Sequence, residues 1–204
     1  MIVVLDYGMS NLSSIANALE YVDAEVVITK EAAQLSKADK IILPGVGAFR
    51  DGMSNLQKQG LDKVLYEEVV RNKKPLLGIC LGMQLLCDKS YEFGEWKGLG
   101  LIRGEVKKFD IDDKLKVPHI GWNNVNFVHE HPVLQGIDND SNFYFVHSYY
   151  VECKDNSDSI GVCDYGGPFT AIIARHNIFA TQFHPEKSQK NGLKLLKNFV
   201  NWQP

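Results

Sequence analysis

The sequence predicts an α/β fold, a three-layer sandwich in which helices cover both faces of a mostly parallel sheet. Short apolar runs alternate with helical patterns over the first half of the chain, as in sheets built from βαβ units. One of these runs ends in a Gly-Ile-Cys-Leu-Gly turn at 78–82, a pattern typical of a strand-to-helix nucleophile elbow. A length of 204 residues suits one domain with a sizeable core, and we expect residues 1–204 to form it.

The sequence of the first half of the chain predicts strands and helices in regular alternation. Apolar runs predict strands at 2–5, 25–29, 40–43 and 76–79. Helical spacing predicts helices at 11–21, 32–36 and 51–71, the last interrupted near Gly60. Because a helix separates each strand from the next, we expect these strands to run parallel.

After Asp88 the pattern changes to short β-rich segments and loops. These segments lie at 101–109, 122–127, 143–151, 159–164, 171–174 and 178–183. A final helix at 189–202 presents Leu193, Leu196 and Val200 on one face. The sequence shows no repeat, linker or low-complexity segment, so we expect the second half to return its strands to the first.

Cys80 lies at the centre of the elbow. The flanking glycines, Gly78 and Gly82, fit a strained turn in which larger side chains would collide. A sulfur at the start of a helix is favoured as thiolate, the reactive form of cysteine. A buried structural cysteine is the alternative, because free cysteines are commonly buried. The elbow alone does not separate these two interpretations.

The second chemical motif is the His-Pro-Glu run at 184–186. Side chains two residues apart on an extended chain point to the same side, so His184 and Glu186 can face one site. A thiolate nucleophile needs a base, and the base needs an acceptor that orients it. A lone His-Pro-Glu run is more often an ordinary loop. Beside a nucleophile elbow, the run favours a triad of Cys80, His184 and Glu186.

The glycine-rich run Leu-Pro-Gly-Val-Gly at 43–47 directly follows a predicted strand. Acyl transfer builds an oxyanion, which preorganised backbone N–H groups must stabilise. This loop can supply such donors, and the N–H of Leu81 can supply another. Gly45 and Gly47 tolerate positive φ, so a peptide here can turn between two orientations. An ordinary Pro-Gly turn is the alternative, and the loop alone favours it.

Composition narrows the class of partner. A net charge of -3 with both signs dispersed offers no basic surface for nucleic acid and no polybasic patch for a membrane. The four cysteines lack zinc-type spacing, which fits free thiols in a reducing cytoplasm, and we expect no metal or cofactor. His129 and His131 lack a third ligand and read as loop residues. The first residues resemble a strand rather than a signal peptide.

Five motifs together resemble the class I, or triad, glutamine amidotransferases, and among them the glutaminase subunits of imidazole glycerol phosphate synthases. They are GICLGMQLL at 78–86, QFHPEKS at 182–188, LPGVGAF at 43–49, PHIGWN at 118–123 and YFVHSYY at 144–150. The resemblance covers nearly the whole chain. It implies hydrolysis of L-glutamine to glutamate and ammonia, with the ammonia passed to a cyclase subunit, a (β/α)8 barrel, in a heterodimer.

The resemblance also implies a role for each matching position. Cys80 is the nucleophile, His184 its base and Glu186 the orienting carboxylate. The oxyanion hole is formed by Gly45, Val46, Gly47 and Leu81. The α-amino and α-carboxylate groups of glutamine are held by Gln84 and Ser148 and by the main chain near His147 and Tyr149. The cyclase subunit is faced by Asn11, Trp122, Tyr144 and Lys187.

Three alternatives stay open at this point. A paralogous glutaminase could feed ammonia to another synthase, such as one that amidates a surface sugar, and Arg50 departs from the glycine more usual in the family. A non-catalytic scaffold could bind and regulate a partner, although it would not need Cys80. A stand-alone hydrolase of γ-glutamyl compounds would be active without any partner.

Overall fold

The computed structural model describes residues 1–110 and 115–204, which contain thirteen strands and six α-helices. The strands are β1 (Ile2–Leu5), β2 (Val26–Thr29), β3 (Lys40–Leu43), β4 (Leu76–Ile79), β5 (Cys87–Ser90), β6 (Trp96–Lys97), β7 (Ile102–Lys108), β8 (His119–Phe127), β9 (Ser141–His147), β10 (Tyr149–Cys153), β11 (Ser159–Asp164), β12 (Pro168–Arg175) and β13 (Ile178–Thr181). The helices are α1 (Leu12–Tyr21), α2 (Ala32–Lys37), α3 (Phe49–Lys58), α4 (Leu61–Tyr66), α5 (Leu81–Leu85) and α6 (Gln189–Asn201).

The centre of the sheet is parallel, as predicted. Strands β2, β1, β3, β4 and β13 lie side by side in that order, and every neighbouring pair among them runs parallel. Beyond β13 the sheet continues antiparallel through β12, β10 and β7. The β8–β9 hairpin is joined to this extension by β11, which pairs with both β8 and β12. Cys80 and His184 therefore both follow strands at the parallel centre.

Helices cover both faces of the sheet, which confirms the three-layer arrangement. Alternate side chains of β1 enter different cores, Val4 on one face and Val3 on the other. The core that contains Val4 is completed by α1 and α6, whereas α2, α3, α4 and α5 contribute to the core that contains Val3. None of the described helices combines the length and the apolar character needed to cross a membrane.

The expected helix at 51–71 is divided in two. It begins at Phe49, ends at Lys58 and resumes at Leu61 after Gly60, which has a left-handed conformation with φ of 69°. The interruption near Gly60 is thus confirmed, because glycine adopts this conformation without the steric cost of a side chain. A π-helical turn, Glu67–Arg71, continues α4.

Two predicted strands differ from the structure near the site. The run at 143–151 is two strands rather than one, because the chain changes partners at Ser148: β9 pairs with β8, and β10 pairs with β7 and β12. The run at 178–183 ends as a strand at Thr181. There the Thr181 hydroxyl donates to the Phe183 carbonyl at 2.9 Å, and the Gln182 N–H still donates to the Ala171 carbonyl of β12.

Candidate active site

The elbow at Cys80 is a strained turn between β4 and α5. Cys80 has φ of 52° and ψ of −108°, a conformation that costs a non-glycine residue about 1–3 kcal/mol. A Cβ atom at Gly82 would lie 1.8 Å from the Leu43 carbonyl oxygen, and one at Gly78 would lie 3.1 Å from the Met83 backbone. A side chain at Gly82 is therefore excluded sterically, whereas one at Gly78 would require the Met83 backbone to shift by a few tenths of an ångström.

Cys80 and His184 are 104 positions apart in the chain but follow neighbouring strands. Strands β4 and β13 are parallel, with Ile79 opposite Thr181, and the Cys80 N–H donates to the Thr181 carbonyl at 2.8 Å. Cys80 and His184 therefore follow the carboxyl ends of neighbouring strands, on the same side of the sheet. The Cys80 thiol is also buried, with only 6% of the residue exposed. Sheet register thus brings together the two residues that sequence alone could not place side by side.

His184 and Glu186 form a buried pair. The His184 Nδ1 and Glu186 Oε1 atoms are 2.8 Å apart, a contact through which the carboxylate can hold the ring in one orientation. Among the described residues, no hydrogen-bond partner is present for His184 Nε2. Burial alone would lower the pKa of His184, but Cys80 and Glu186 together raise it to about 10. A base with one nitrogen anchored and the other free suits proton exchange with a nucleophile.

The glycine-rich loop contacts the elbow, in a closed arrangement. The Leu81 N–H donates to the Gly45 carbonyl oxygen at 3.3 Å, and the Val46 N–H donates to the Met9 carbonyl at 2.6 Å. Gly47 has φ of 100°, in the region that favours glycine. The structure therefore brings the four predicted oxyanion residues together, with the Gly45 carbonyl occupying the Leu81 donor.

Tyr7 contacts the closed loop at 43–47 and holds it through a hydrogen bond. Its hydroxyl donates to the Pro44 carbonyl at 2.7 Å, and a Cβ at Gly45 would lie 2.3 Å from the same hydroxyl. Tyr7 is almost fully buried, and burial raises the pKa of its hydroxyl, which therefore remains a donor. Sequence analysis did not identify Tyr7, whose position after β1 gave no sign of contact with the loop.

A cavity of about 260 Å³ opens beside Cys80. All four residues predicted to hold the substrate line it, namely Gln84, His147, Ser148 and Tyr149. Gln84 Nε2 donates to the Tyr149 carbonyl and to Gln182 Oε1, each at 3.0 Å. Both N–H groups of the Gln84 amide are therefore used, which leaves its oxygen as the group that can accept from a ligand. A larger open depression at 127–139 lies apart from Cys80 and contains none of the triad.

Glu92 is a further residue of this cavity that sequence analysis missed. Glu92 lines the cavity, and its carboxylate accepts a hydrogen bond of 2.5 Å from the Phe49 N–H, at the start of α3. Burial raises its pKa, although the Phe49 N–H opposes the shift. Glu92 follows β5 in a loop, and its sequence neighbours carry no motif that could have revealed it.

Gln182 also escaped the sequence analysis. It is fully buried, and its Nε2 lies 3.7 Å from Cys80 Sγ in hydrogen-bonding geometry. A signal was present in this case. In the sequence Gln182 lies two residues before His184, so the alternation that selected Glu186 also selects Gln182. The structure differs from the extended chain assumed there, because residues 182–183 form a bend and Glu186 lies in a 3₁₀ turn, Pro185–Lys187.

Three of the four residues predicted to face a partner form one surface patch. Trp122 is 45% exposed and its ring lies edge-on to Tyr144, with ring centroids 6.0 Å apart. Lys187 Nζ lies 5.9 Å from the centroid of the Tyr144 ring. The patch adjoins the triad, because the His184 N–H donates to the Tyr144 carbonyl at 2.9 Å. Asn11 is exposed at the residue before α1.

Sequence similarity to known proteins extends over nearly the whole chain. Residues 3–202 match the family described as glutamine amidotransferase class-I. The chain belongs to the class-I glutamine amidotransferases. A curated relative, imidazole glycerol phosphate synthase subunit HisH 1 of Campylobacter jejuni, is 52% identical over 200 residues, which cover 98% of this chain and 99% of the relative. The subunit HisH 2 of Pseudomonas aeruginosa is 50% identical and covers 98% of both chains.

A solved structure described as a glutamine amidotransferase has the same fold. It superimposes with a TM-score of 0.77 over 98% of both chains, although only 15% of the residues are identical. The class-I amidotransferase fold and the enzyme class predicted from the motifs are thus confirmed. The likeness to imidazole glycerol phosphate synthase subunits is confirmed by the curated relatives.

Proposed function

We propose that this chain hydrolyses L-glutamine to L-glutamate and ammonia through a Cys80 thioester, and supplies the ammonia to a cyclase subunit in histidine biosynthesis. The observation that carries the chemistry is the arrangement of Cys80 and the His184–Glu186 pair at the ends of β4 and β13. The names of relatives about 50% identical over nearly the full chain support the pathway.

The reaction proceeds in two halves. The Cys80 sulfur attacks the side-chain amide carbon of glutamine, and His184 protonates the departing nitrogen as the C–N bond breaks. Ammonia leaves, and the γ-glutamyl group remains on sulfur as a thioester. His184 then takes a proton from water, whose oxygen attacks the thioester carbon. The C–S bond breaks, glutamate is released, and the proton passes from His184 to the Cys80 sulfur. Glu186 holds the ring of His184 through both halves.

The cavity supplies groups for both ends of the amino acid. The Glu92 carboxylate and the free amide oxygen of Gln84 suit the α-ammonium group, because both accept hydrogen bonds and Glu92 carries negative charge. The main chain at His147, Ser148 and Tyr149 forms the wall that receives the α-carboxylate. The side-chain amide then reaches toward Cys80.

The oxyanion hole has to open before the first half-reaction. In the closed arrangement the Leu81 N–H is bound to the Gly45 carbonyl, and the Val46 N–H is bound to Met9. Turning the peptide between Gly45 and Val46 releases the Leu81 donor and directs the Val46 N–H toward the thioester oxygen. Gly45 and Gly47 on either side of Val46 make this rotation sterically accessible.

A partner subunit completes the enzyme. We infer a heterodimer with a cyclase built as a (β/α)8 barrel, bound at the patch of Trp122, Tyr144 and Lys187 with Asn11 nearby. An aromatic pair next to a cation, with Trp122 exposed and Tyr144 half-buried, is typical of interface anchors, and this patch adjoins His184, which protonates the departing ammonia. Residues 1–204 act as one glutaminase domain, and four free cysteines suit the cytoplasm.

A second candidate is a paralogous glutaminase that serves another synthase. The names of curated relatives carry the number 1 or 2, as in HisH 1 of Campylobacter jejuni and HisH 2 of Pseudomonas aeruginosa. Such numbering indicates more than one subunit of this kind in an organism. The glutaminase chemistry is the same in both candidates, and only the acceptor differs.

The test measures glutamate release from glutamine by the purified chain, alone and with the cyclase subunit and its nucleotide substrate. Strong stimulation that disappears in Cys80→Ala supports the histidine-pathway function, provided that the mutant complex still uses added ammonia. Cys163→Ala, another buried cysteine, is the matched control and should retain activity. No stimulation by the cyclase, in a chain whose Cys80 is still alkylated by a glutamine analogue, would favour the second candidate. Retained hydrolysis in Cys80→Ala would refute the nucleophile.

A further inference from the structure

Two histidines outside the triad face each other across the β8–β9 hairpin. His119 and His147 are directly paired in the strand register, and His119 Nδ1 lies 3.0 Å from His147 Nε2. Both residues are buried, with 3% and 6% of their surface exposed. The mechanism above assigns no role to His119, although it lies in the PHIGWN motif at 118–123.

The hydrogen bonds around this pair admit one proton arrangement for two neutral rings. His147 Nδ1 lies 2.8 Å from the Tyr149 carbonyl, which can only accept, so this nitrogen carries the proton. His147 Nε2 must then accept, and His119 Nδ1 must donate to it. His119 Nε2 in turn accepts from Asn123 Nδ2 at 3.3 Å.

The amide of Asn123 is fixed in the orientation that this arrangement requires. Its Nδ2 also donates to the Asp164 carbonyl at 2.9 Å, and its Oδ1 accepts from the Asn124 N–H at 2.8 Å. Nδ2 is therefore the atom that faces His119. The donors then run in one direction, from Asn123 through His119 and His147 to the Tyr149 carbonyl.

The surroundings keep both rings neutral. His119 stacks on Tyr165 and Phe145, with ring centroids 4.0 and 4.9 Å away, and Phe109 and Phe169 pack against both histidines. Burial lowers the pKa of His119 to about 4 and that of His147 to about 3. The other titratable group that influences His147 is His184, which lowers its pKa further.

The chain of donors ends in the wall of the substrate cavity. The Tyr149 carbonyl accepts from His147 and also from Gln84, and His147, Ser148 and Tyr149 all line the cavity. The chain of donors begins on β8, at Asn123 and His119. The face of β8 opposite these two residues carries exposed Ile120 and Trp122. Strand β8 thus carries Trp122 of the partner patch on one face and, on the other, His119, which supports the cavity wall.

We propose that His119 is a positioning residue for glutamine hydrolysis. Its N–H holds the His147 ring at Nε2 while the Nδ1–H of that ring holds the Tyr149 carbonyl, and so His119 sets the position of the wall that receives the amino-acid end of glutamine. This inference rests on the proposed glutaminase function. Phenylalanine at position 119 would keep the packing against the surrounding aromatic rings but could not donate a hydrogen bond to His147.

The first experiment compares His119→Phe with the native chain in the complex with the cyclase subunit. The KM for glutamine should rise about tenfold while kcat changes by less than about threefold, because the variant loosens substrate binding and leaves the triad intact. Asn156→Ala, an exposed asparagine outside both the cavity and the partner patch, is the control and should leave both constants unchanged. An unchanged KM in a folded His119→Phe variant would overturn the proposal.

The second experiment does not depend on the variant folding or on catalysis. Histidine-selective ¹⁵N NMR of the native chain should show both His119 and His147 as neutral rings protonated at Nδ1, the less common tautomer in solution. Protonation of either ring at Nε2 would overturn the proposal. Failure of the glutaminase function itself is recognised separately, as an absence of glutamine hydrolysis by the native complex.

Discussion

The backbone N–H of Leu81 donates a hydrogen bond of 3.3 Å to the carbonyl oxygen of Gly45. The other side of the same loop peptide is also held, because the Val46 N–H donates to Met9. Two backbone hydrogen bonds of this kind together favour the closed arrangement by about 1–3 kcal/mol. The chain on its own is therefore expected to hydrolyse glutamine slowly, and a partner can activate it by favouring the open loop.

Removing the Tyr7 hydroxyl should loosen this loop. Tyr7→Phe eliminates the hydrogen bond to the Pro44 carbonyl and is expected to raise glutamate release by the isolated chain several-fold, at a cost of about 1 kcal/mol in the free energy of unfolding. Basal glutaminase assays and urea unfolding measure the two effects. Tyr21→Phe changes an exposed tyrosine and should alter neither. A lower basal rate in Tyr7→Phe would contradict an anchoring role.

Neutralising Glu92 should weaken glutamine binding. Glu92→Gln removes the negative charge facing the cavity while keeping an oxygen that can accept from the Phe49 N–H, so α3 keeps its first bond. A charge-assisted hydrogen bond contributes about 1.5–3 kcal/mol, and the KM for glutamine should rise about 10- to 100-fold. Glu95→Gln, in the same loop but exposed, serves as the control. An unaltered KM would remove Glu92 from the substrate site.

Substitution of His184 should lower kcat more than substitution of Glu186. His184→Ala removes the proton carrier and should lower kcat by about 10²- to 10⁴-fold in the complex. Glu186→Gln retains an acceptor for the His184 Nδ1–H and should cost only about tenfold, since it affects orientation rather than proton transfer. Steady-state glutaminase kinetics at saturating cyclase substrate measure both. A larger loss of kcat in Glu186→Gln than in His184→Ala would contradict the roles assigned to these two residues.

The raised pKa of His184 should also appear in the pH dependence of stability. Its ordinary value is 6.5, and contacts with Cys80 and Glu186 outweigh burial and raise it to about 10 in the folded chain. The folded state therefore binds this proton more tightly, and the resulting stabilisation is complete below about pH 6.5 and lost as the pH rises through about 10.

Urea unfolding of the native chain and of His184→Ala between pH 6 and 10 tests this expectation. The free energy of unfolding should fall more steeply with rising pH in the native chain, since the other titrating groups are common to both proteins. Equal slopes would mean that His184 does not hold its proton more tightly when folded.

The sequence was a reliable guide where structure is decided locally. Strands β1, β3 and β4 have the predicted bounds, because a short buried parallel strand is a short apolar run. The elbow was predictable from Gly78 and Gly82, because a Cβ at Gly82 would collide with the Leu43 carbonyl and one at Gly78 would crowd the Met83 backbone. The candidate triad was recognisable for the same reason, since each half of it is a compact motif.

Features that depend on distant contacts could not be read from the sequence. Glu92 reaches the cavity only because its loop packs on the start of α3, 43 residues earlier in the chain. The pairing of His119 with His147 depends on the β8–β9 register across 28 residues. The closed loop depends on Met9 and Tyr7, which follow a different strand. Residue type suggested none of these contacts.

The position of β13 also determines when activity can appear during synthesis. This strand lies in the middle of the sheet, between β4 and β12, yet it is the last described strand to leave the ribosome. Until it inserts, β4 has an unpaired edge, and His184, which follows β13, is not beside Cys80. A nascent chain that has passed the elbow but has not yet paired β13 with β4 therefore lacks the base that Cys80 needs, and cannot consume glutamine.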